Sequence, residues 1–196
     1  PNALVADVCG VKAAVEKAVY SMPRSYRYIG LHPMAGKETS GLASSSENLF
    51  AGANLVITLA PQTEESALIE AREYAGLMGF GRITECSAEE HDKKIALTSQ
   101  LAHLVSNAYV KSPSVSHCEG FTGGSFQDMT RIAGVDETMW AQLYMFNRKN
   151  ILAELDCLLR HLESYRSAIA EDDESALSFE LRQGRLIRET IKRDKN

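Results

Sequence analysis

The alternation of strand-like and helix-like patterns in the first half of the chain restricts the fold most. Apolar runs that suit short strands occur at 3–8, 27–31, 54–59 and 81–86. Helical patterns lie between them at 11–19 and 63–78, and Gly79 suits the end of the second helix. Strands that alternate with helices predict a parallel α/β sheet. After Cys86 the pattern is helical only, so we predict an α/β domain over 1–87 and an all-α domain over 88–196.

The second half begins with Ser87 and Glu90, which fit a capping box at the start of a helix that extends to about Tyr109. A longer helical pattern covers 136–169, and a last one lies near 176–192. The longer pattern has an apolar stripe with heptad-like spacing, at Ile151, Leu155, Leu158, Leu162, Tyr165 and Ile169. The stripe predicts a partner helix, either in a second copy of the chain or within the same chain.

Composition excludes several classes of partner. The chain has 196 residues, is 44% hydrophobic and has a net charge of −5, which argues against a nucleic-acid or anionic-membrane surface. We expect neither a membrane span nor a signal peptide, because no apolar run approaches the roughly 18 residues of a membrane helix. The four cysteines are widely spaced, which predicts reduced thiols in a cytoplasmic protein and no metal site. Pro1 lies in the approach to a strand, so we expect a piece of a longer protein.

The segment His32–Gly41 (HPMAGKETSG) is the strongest candidate for function. It follows the apolar run Tyr28–Leu31, and Pro33 predicts the end of that strand because proline lacks a backbone N–H. His32 is therefore expected at the carboxyl end of a strand, where α/β proteins bind ligands. A histidine there can act as an acid or a base near neutral pH. The alternative is a strand-end histidine that only hydrogen-bonds a loop.

Two further side chains have both a functional and a structural interpretation. Arg131 follows the Gly-rich loop 120–125, and it could grip a carboxylate or form a surface ion pair with Asp128. His103 lies among apolar residues of a predicted helix, where it could line a pocket or be a satisfied core residue.

Other polar and aromatic residues are ordinary when taken singly. Trp140 suits a core position, Glu38 suits a solvated loop, and His91–Asp92 suits a cap or an ion pair near a helix start. His117–Cys118 lacks the further ligands that a metal site needs.

Taken together, these segments resemble the prephenate dehydrogenase family of tyrosine biosynthesis. The matching segments follow the family order, with close to family spacing, over most of the chain: Asp7–Lys12, His32–Gly41, His91–His103, Gly123–Ala133 and Met139–Trp140. The resemblance implies a partial Rossmann-like nucleotide-binding domain followed by an all-α domain that mediates homodimerisation. It also implies an oxidoreductase that converts prephenate, or arogenate, with oxidative decarboxylation; for prephenate the product is 4-hydroxyphenylpyruvate.

The resemblance supplies roles for individual residues. NAD(P)+ would take a hydride from the ring carbon that bears the hydroxyl, and His32 would take the hydroxyl proton. Arg131 would hold a substrate carboxylate. The remaining residues implied to bind substrate are His103, Gly124, Glu38, Asp128 and Trp140, and those implied at the cofactor are Asp7 and Met34.

Two departures from the family pattern shape our expectations. Gly10 stands where the family usually carries a serine whose hydroxyl helps to hold the substrate and the catalytic histidine. The chain contains no G-x-G-x-x-G, so the phosphate-cradling half of a Rossmann fold is missing. We therefore expect that this chain alone binds no NAD or NADP and is inactive. The alternatives are a cofactor-free prephenate-binding or regulatory dimer, and a structural dimer that binds neither ligand.

Overall fold

The computed structural model describes residues 2–37 and 41–191 of the chain. The chain divides into two compact units, Pro1–Ile151 and Leu152–Asn196. The strands of the described part are β1 (Leu4–Asp7), β2 (Arg27–Met34), β3 (Asn54–Thr58) and β4 (Arg82–Cys86). Its α-helices are α1 (Ala13–Tyr20), α2 (Glu65–Leu77), α3 (Ala88–Ile95), α4 (Ala102–Tyr109), α5 (Gly124–Thr130), α6 (Glu137–Phe146), α7 (Arg148–Ala170) and α8 (Glu174–Thr190).

The four strands form one sheet in the order β1-β2-β3-β4, and this confirms the α/β region followed by helices. The prediction of an entirely parallel sheet is wrong, because β2 and β3 run antiparallel while the outer pairs are parallel. Parallel neighbours need a crossover connection, usually a helix, whereas a loop can join antiparallel strands at one edge. In the described part of the connection from β2 to β3, the helical structure is one 3-10 turn, Leu42–Ser44.

Strand β2 continues through Pro33 to Met34, so the prediction that Pro33 ends the strand is also wrong. The pairing of β1 with β2 stops at Gly30, whereas the pairing with β3 extends to Met34. Beyond Gly30, β2 is no longer paired with β1. That side of β2 is therefore a sheet edge, where a proline is tolerated. His32 consequently lies within β2, two residues before its end, and is paired with Val56.

One face of the sheet carries the core of the first unit. The central strands contribute Ile29, Leu31, Leu55 and Ile57, all less than a tenth exposed. Helix α2 packs against them with alanines at Ala67, Ala71 and Ala75, which are spaced one helical turn apart and fully buried. Small side chains let the helix backbone lie close to the sheet, which is the close packing expected of a protein interior.

The two long predicted helices are both interrupted. The Ser87 hydroxyl accepts from the Glu90 N–H at 3.1 Å, which confirms the Ser87 half of the predicted capping box, but α3 changes to a π-helical segment at Ala96–Leu101 before α4. The pattern over 136–169 divides at Asn147 into α6 and α7. Asn147 is buried, and its side-chain amide donates to the Asp92 carbonyl at 2.8 Å and to Gln100 Oε1 at 2.7 Å.

The second unit consists of α7 from Leu152 onward and α8. The turn between them holds Asp172 at φ 56°, and Asp173 caps α8 by accepting from the Ala176 N–H at 2.9 Å. Large apolar side chains remain exposed on both helices, among them Leu159, Leu162, Ile169, Phe179, Leu186 and Ile187. Among the helices in the described part of the chain, none is long and apolar enough to cross a membrane.

Candidate active site

A cavity of about 510 Å³ lies in the first unit, between the end of β2 and the helices that follow the sheet. We call one side the strand wall; it comprises Gly10, His32, Pro33, Met34, Gly36 and Lys37. We call the other side the helix wall; its polar and aromatic residues include Ser99, Gln100, His103, Arg131, Asp136 and Trp140.

The loop that carries Gly10 is fixed at its start by Asp7. The Asp7 carboxylate accepts from the Cys9 N–H at 2.9 Å, the Tyr28 hydroxyl at 2.6 Å and Lys12 Nζ at 2.6 Å. Lys12 is fully buried and also donates to the Leu31 carbonyl. Burial lowers the Lys12 pKa, and the Asp7 carboxylate partly offsets that effect. These contacts couple the Gly10 loop to the strand that bears His32.

The same loop is fixed at its end by Asp92. The Asp92 carboxylate accepts from the backbone N–H groups of Lys12 at 2.8 Å and Ala13 at 3.0 Å, where α1 begins. Burial alone would raise the pKa of Asp92, but hydrogen bonds from His91 and from these two N–H groups outweigh it, so the pKa is lower than usual. Asp92 is therefore a carboxylate at neutral pH.

His91 connects this carboxylate to His32. His91 Nδ1 lies 2.8 Å from Asp92 Oδ1, and because a carboxylate only accepts, Nδ1 carries the proton. In the neutral tautomer of His91 with this proton, Nε2 has a lone pair and accepts from His32 Nδ1, at 2.8 Å. The remaining ring nitrogen, His32 Nε2, keeps its lone pair on the Gly10 side, since a Cβ added at Gly10 would lie 3.9 Å from it.

The surroundings keep His32 neutral. Burial, followed by the neighbouring His91 and Lys12, lowers the pKa of His32 to about 4. A neutral imidazole with a free lone pair on a cavity wall is a competent general base at pH 7.

His103 on the helix wall is held differently. Its Nδ1 donates to the Ser99 carbonyl at 2.9 Å, one turn earlier along the helical chain, and its ring lies 4.1 Å from the Trp140 ring. Ser99 belongs to the π-helical segment, a feature that is frequent at functional sites. The rings of His103 and Trp140, tilted by 34° to each other, thus form an aromatic surface on the helix wall.

Two cationic side chains also line the cavity, one on each wall. Arg131 directly follows α5 and is exposed. Lys37 is exposed on the strand wall, and its Nζ donates to the Ser44 carbonyl at 3.1 Å. A guanidinium and an ammonium around one cavity suit an anionic ligand.

The structure brings together five of the residues that the resemblance implicates: His32, Met34, His103, Arg131 and Trp140 all line the cavity. Of the other described residues, Asp7, Gly124 and Asp128 are not in the lining. Gly124 is the first residue of α5, and Asp128 lies in the same helix. Glu38 lies outside the described residues.

Sequence reasoning predicted a cap or an ion pair at His91–Asp92, and Asp92 does cap the start of α1 and hydrogen-bond to His91, but the contact between His91 and His32 was not predicted. Lys37 stands in the motif segment, yet no pattern singled it out as a cavity residue. The tertiary fold brings His91 and Lys37 to the site, so the spacing of neighbouring residues did not indicate these positions.

This chain resembles known proteins over most of its length. A family model described as the nucleotide-binding domain of prephenate dehydrogenase matches residues 1–83, and one described as its dimerization domain matches residues 87–183. The chain belongs to the prephenate dehydrogenase family. Among curated members, the prephenate dehydrogenase of Bacillus subtilis is 30% identical over 177 residues, which cover 87% of this chain and 47% of that protein.

A second relative is the cyclohexadienyl dehydrogenase of Zymomonas mobilis, 29% identical over 98% of this chain and 68% of that protein. The chain thus spans about half the length of the Bacillus protein and about two thirds of the Zymomonas protein.

Two solved structures of family members share the fold. The prephenate dehydrogenase of Aquifex aeolicus, in complex with hydroxyphenyl propionate and NAD+, has a TM-score of 0.81 at 27% identity and matches 96% of this chain and 67% of that one. The arogenate dehydrogenase of Synechocystis has a TM-score of 0.76 at 25% identity, with 95% and 68% covered.

Proposed function

We propose that this chain forms the substrate-oxidising site of a dehydrogenase that acts on prephenate or arogenate. The observation that carries the proposal is the neutral His32, whose free Nε2 lies on the wall of a cavity that Arg131 and Lys37 also line. Membership of the prephenate dehydrogenase family supports the same substrate class.

His32 acts as the general base. The ring hydroxyl of the substrate donates to His32 Nε2, and its proton moves there as the carbon–oxygen double bond forms. The hydrogen on the same carbon leaves with its electron pair as hydride. The ring then loses the carboxylate on the carbon opposite the new carbonyl as CO2, and the electrons of the broken carbon–carbon bond move through the ring to the carbonyl oxygen, which takes up a proton as the aromatic phenol forms. A base that is already neutral at pH 7 needs no prior deprotonation.

The cations and the aromatic surface position the substrate. Prephenate carries two carboxylates, one on the ring and one on the side chain. Arg131 can hold one of them in bidentate fashion, and Lys37 offers a second positive charge on the opposite wall. The His103–Trp140 surface can pack against the flat face of the ring. This arrangement directs the hydroxyl carbon toward His32.

The described residues fit only one end of a nicotinamide cofactor. Bound NAD+ or NADP+ would supply the hydride acceptor of this chemistry, and we assign Met34, which lines the same cavity as His32, to contact it. Asp7, which the resemblance also implicates, has its carboxylate engaged by Lys12, Tyr28 and the Cys9 N–H. The sequence contains no G-x-G-x-x-G, so the diphosphate needs residues from outside it.

Separate titrations of the purified chain with prephenate and with NAD+ test this proposal. We expect saturable calorimetric binding of prephenate, weakened in Arg131→Ala, and no measurable binding of NAD+ at millimolar concentration. Arg160→Ala, a change in the second unit, is the matched control and should bind prephenate normally. Absence of prephenate binding would contradict the proposal. Saturable NAD+ binding would overturn the expectation about the cofactor.

A second candidate is a cofactor-free protein that binds or senses prephenate, and the absence of a G-x-G-x-x-G favours it. The two functions differ in one assay. A full-length protein that contains this chain should reduce NAD+ or NADP+ when prephenate is added if it is a dehydrogenase. Prephenate binding without any reduction of either cofactor would support the second candidate.

We further infer a homodimer through the helical half, where the dimerization-domain model matches. Leu162 and Ile169 of the heptad stripe are 51% and 66% exposed, an arrangement that a second copy would cover. Light scattering of the chain at micromolar concentration should give twice the monomer mass, and Leu162→Glu should reduce it. Leu42→Glu, at an exposed loop position, is the matched control and should leave the mass unchanged. A monomeric wild type would contradict the inference.

A further inference from the structure

We propose that His91 is a positioning residue: it fixes the tautomer and the orientation of His32 and connects that ring to the Asp92 carboxylate, which stabilises the positive charge that His32 acquires during turnover. We call Asp92, His91 and His32 the Asp–His–His triad. The catalytic consequence rests on the proposed function, but the tautomer of His32 is a property of the protein alone.

The geometry of the triad is continuous and buried. The two hydrogen bonds are both 2.8 Å long, from His91 Nδ1 to Asp92 Oδ1 and between His91 Nε2 and His32 Nδ1. The side chains of His91 and Asp92 are only 1% and 4% exposed. A buried carboxylate that accepts from His91 Nδ1 permits one neutral tautomer of His91, and that tautomer permits one neutral tautomer of His32.

On the Nε2 side of the His32 ring, residue 10 is a glycine. It has no side chain that could hydrogen-bond Nε2 and so set the tautomer. The space near Nε2 admits a Cβ at 3.9 Å, so this nitrogen faces room that a substrate hydroxyl can use. The hydrogen bond at Nδ1 therefore decides which nitrogen is the base. Isolated histidine favours the Nε2–H tautomer, so the triad selects the less common form.

The triad also has a role after proton transfer. When Nε2 takes the hydroxyl proton, His32 becomes an imidazolium whose Nδ1–H already faces His91 Nε2. The Asp92 carboxylate lies behind His91 and stabilises the positive charge through that ring. Of the other titratable groups near His32, a protonated His91 and Lys12 oppose the charge, whereas Asp7 favours it. Lys12 and Asp7 are paired with each other at 2.6 Å, so their effects on His32 oppose each other.

Asp92 is a poor site for a test, because its carboxylate also accepts from the N–H groups of Lys12 and Ala13 at the start of α1. His91 is the better choice. His91→Leu removes the acceptor for His32, whereas His91→Gln places an amide oxygen that can accept the same hydrogen bond but cannot be protonated. The pair separates the tautomer effect from the general effect of changing a buried side chain.

The test is a long-range ¹H–¹⁵N NMR spectrum of the imidazole rings in the ¹⁵N-histidine-labelled chain at pH 7, with His32→Asn and His91→Gln used for assignment. We expect the Nδ1–H tautomer for His32 in the wild type and in His91→Gln, and the Nε2–H tautomer in His91→Leu. His103 is an internal control for folding, because its Nδ1–H donates to the Ser99 carbonyl and should give the same signal in all variants. An Nε2–H tautomer of His32 in the wild type, or an unchanged tautomer in His91→Leu, would overturn the proposal.

Steady-state kinetics of the full-length protein supply the second readout. His91→Leu should lower kcat by at least about tenfold, and by no more than the roughly 10²–10⁴-fold that general-base catalysis contributes, with a smaller change in KM. His91→Gln should recover part of kcat. If the tautomers are as expected but the wild type oxidises neither prephenate nor arogenate, the proposed function fails and the structural role of His91 stands. Normal kcat in His91→Leu would overturn the catalytic role of His91.

Discussion

The strand wall and the helix wall of the cavity hold their histidines in different ways. On the strand wall, His32 hydrogen-bonds inward to His91 and through it to Asp92, so its properties depend on a buried carboxylate from another element. On the helix wall, His103 hydrogen-bonds to a carbonyl of its own helical chain and packs against Trp140. Under the proposed function, proton transfer therefore depends on the buried His91 and Asp92, whereas substrate contact falls to the half-buried His103 and Trp140 and the exposed Arg131.

This division separates the expected effects of substitution. Changes at the strand wall remove an interaction that strengthens in the transition state, so they should lower kcat. Changes at the helix wall remove contacts present in both the bound and the transition state, so they should raise KM. The kinetic predictions below assume a preparation that is active, such as the full-length protein.

The largest expected effect is that of His32→Asn. Asparagine keeps some hydrogen bonding but cannot take the hydroxyl proton, so kcat should fall by about 10²–10⁴-fold with a smaller change in KM. Steady-state kinetics with prephenate measure both constants, and His103→Asn on the helix wall is the matched control, with a smaller loss of kcat. If His32→Asn turned over normally, His32 would be a structural strand-end residue.

Arg131→Ala should have the next largest effect and the opposite pattern. A charge-assisted hydrogen bond contributes about 1.5–3 kcal/mol, so KM for prephenate should rise by roughly 10- to 100-fold while kcat changes less. Arg131→Lys keeps the charge but loses the bidentate geometry, so its KM for prephenate should lie between those of the wild type and Arg131→Ala. A loss confined to kcat would place Arg131 with the strand wall and refute the division.

Asn147→Ala should loosen the connection between the two walls. Its amide joins the carbonyl of Asp92, behind the strand wall, to Gln100 on the helix wall, and both acceptors would lose a buried partner. We expect the free energy of unfolding to fall by about 1–3 kcal/mol, measured by urea denaturation. Asn150→Ala, which removes a partly buried hydrogen bond to Asn147, is the milder control. Equal stability of Asn147→Ala and wild type would show that this amide is dispensable.

Gly10→Ala should have the smallest effect. The added Cβ would lie 3.9 Å from both His32 Nε2 and Leu143 Cδ2, which is ordinary van der Waals contact. Urea denaturation should therefore show unchanged stability or a gain of about 0.4–1 kcal/mol from the reduced freedom of the unfolded chain. A marked loss of stability would mean that the strand wall has no spare room beside the base.

Local patterns predicted most elements of this fold, because the periodicity of a strand or a helix depends only on residues that are close together in the sequence. Patterns did not predict the antiparallel pairing of β2 with β3, since strand direction depends on the connection and not on the strand. They also missed the division at Asn147, where tertiary hydrogen bonds to Asp92 and Gln100 interrupt a continuous helical periodicity.

The candidate site shows the same limit. The motif segments and their resemblance to the family predicted His32, His103, Arg131 and Trp140, and the fold gathers all four around one cavity. The contact of His91 with His32 depends on the packing of α3 against the end of β2, which no spacing in the sequence encodes. The depressed pKa of His32 follows from that burial, so an unperturbed value of about 6.5 would have been the sequence-based expectation.

The pKa of His32 therefore tests the central claim most directly. Burial, His91 and Lys12 lower it from the ordinary 6.5 to about 4, so the folded state binds this proton less readily than the unfolded state. Between those two pH values, the stability that neutral His32 contributes should fall as the pH falls. An NMR titration of the chain should show His32 neutral at pH 6 with a midpoint well below 6.5, and His91→Leu should move that midpoint. A midpoint at or above 6.5 would contradict the account of His32 as a base kept neutral by its buried surroundings.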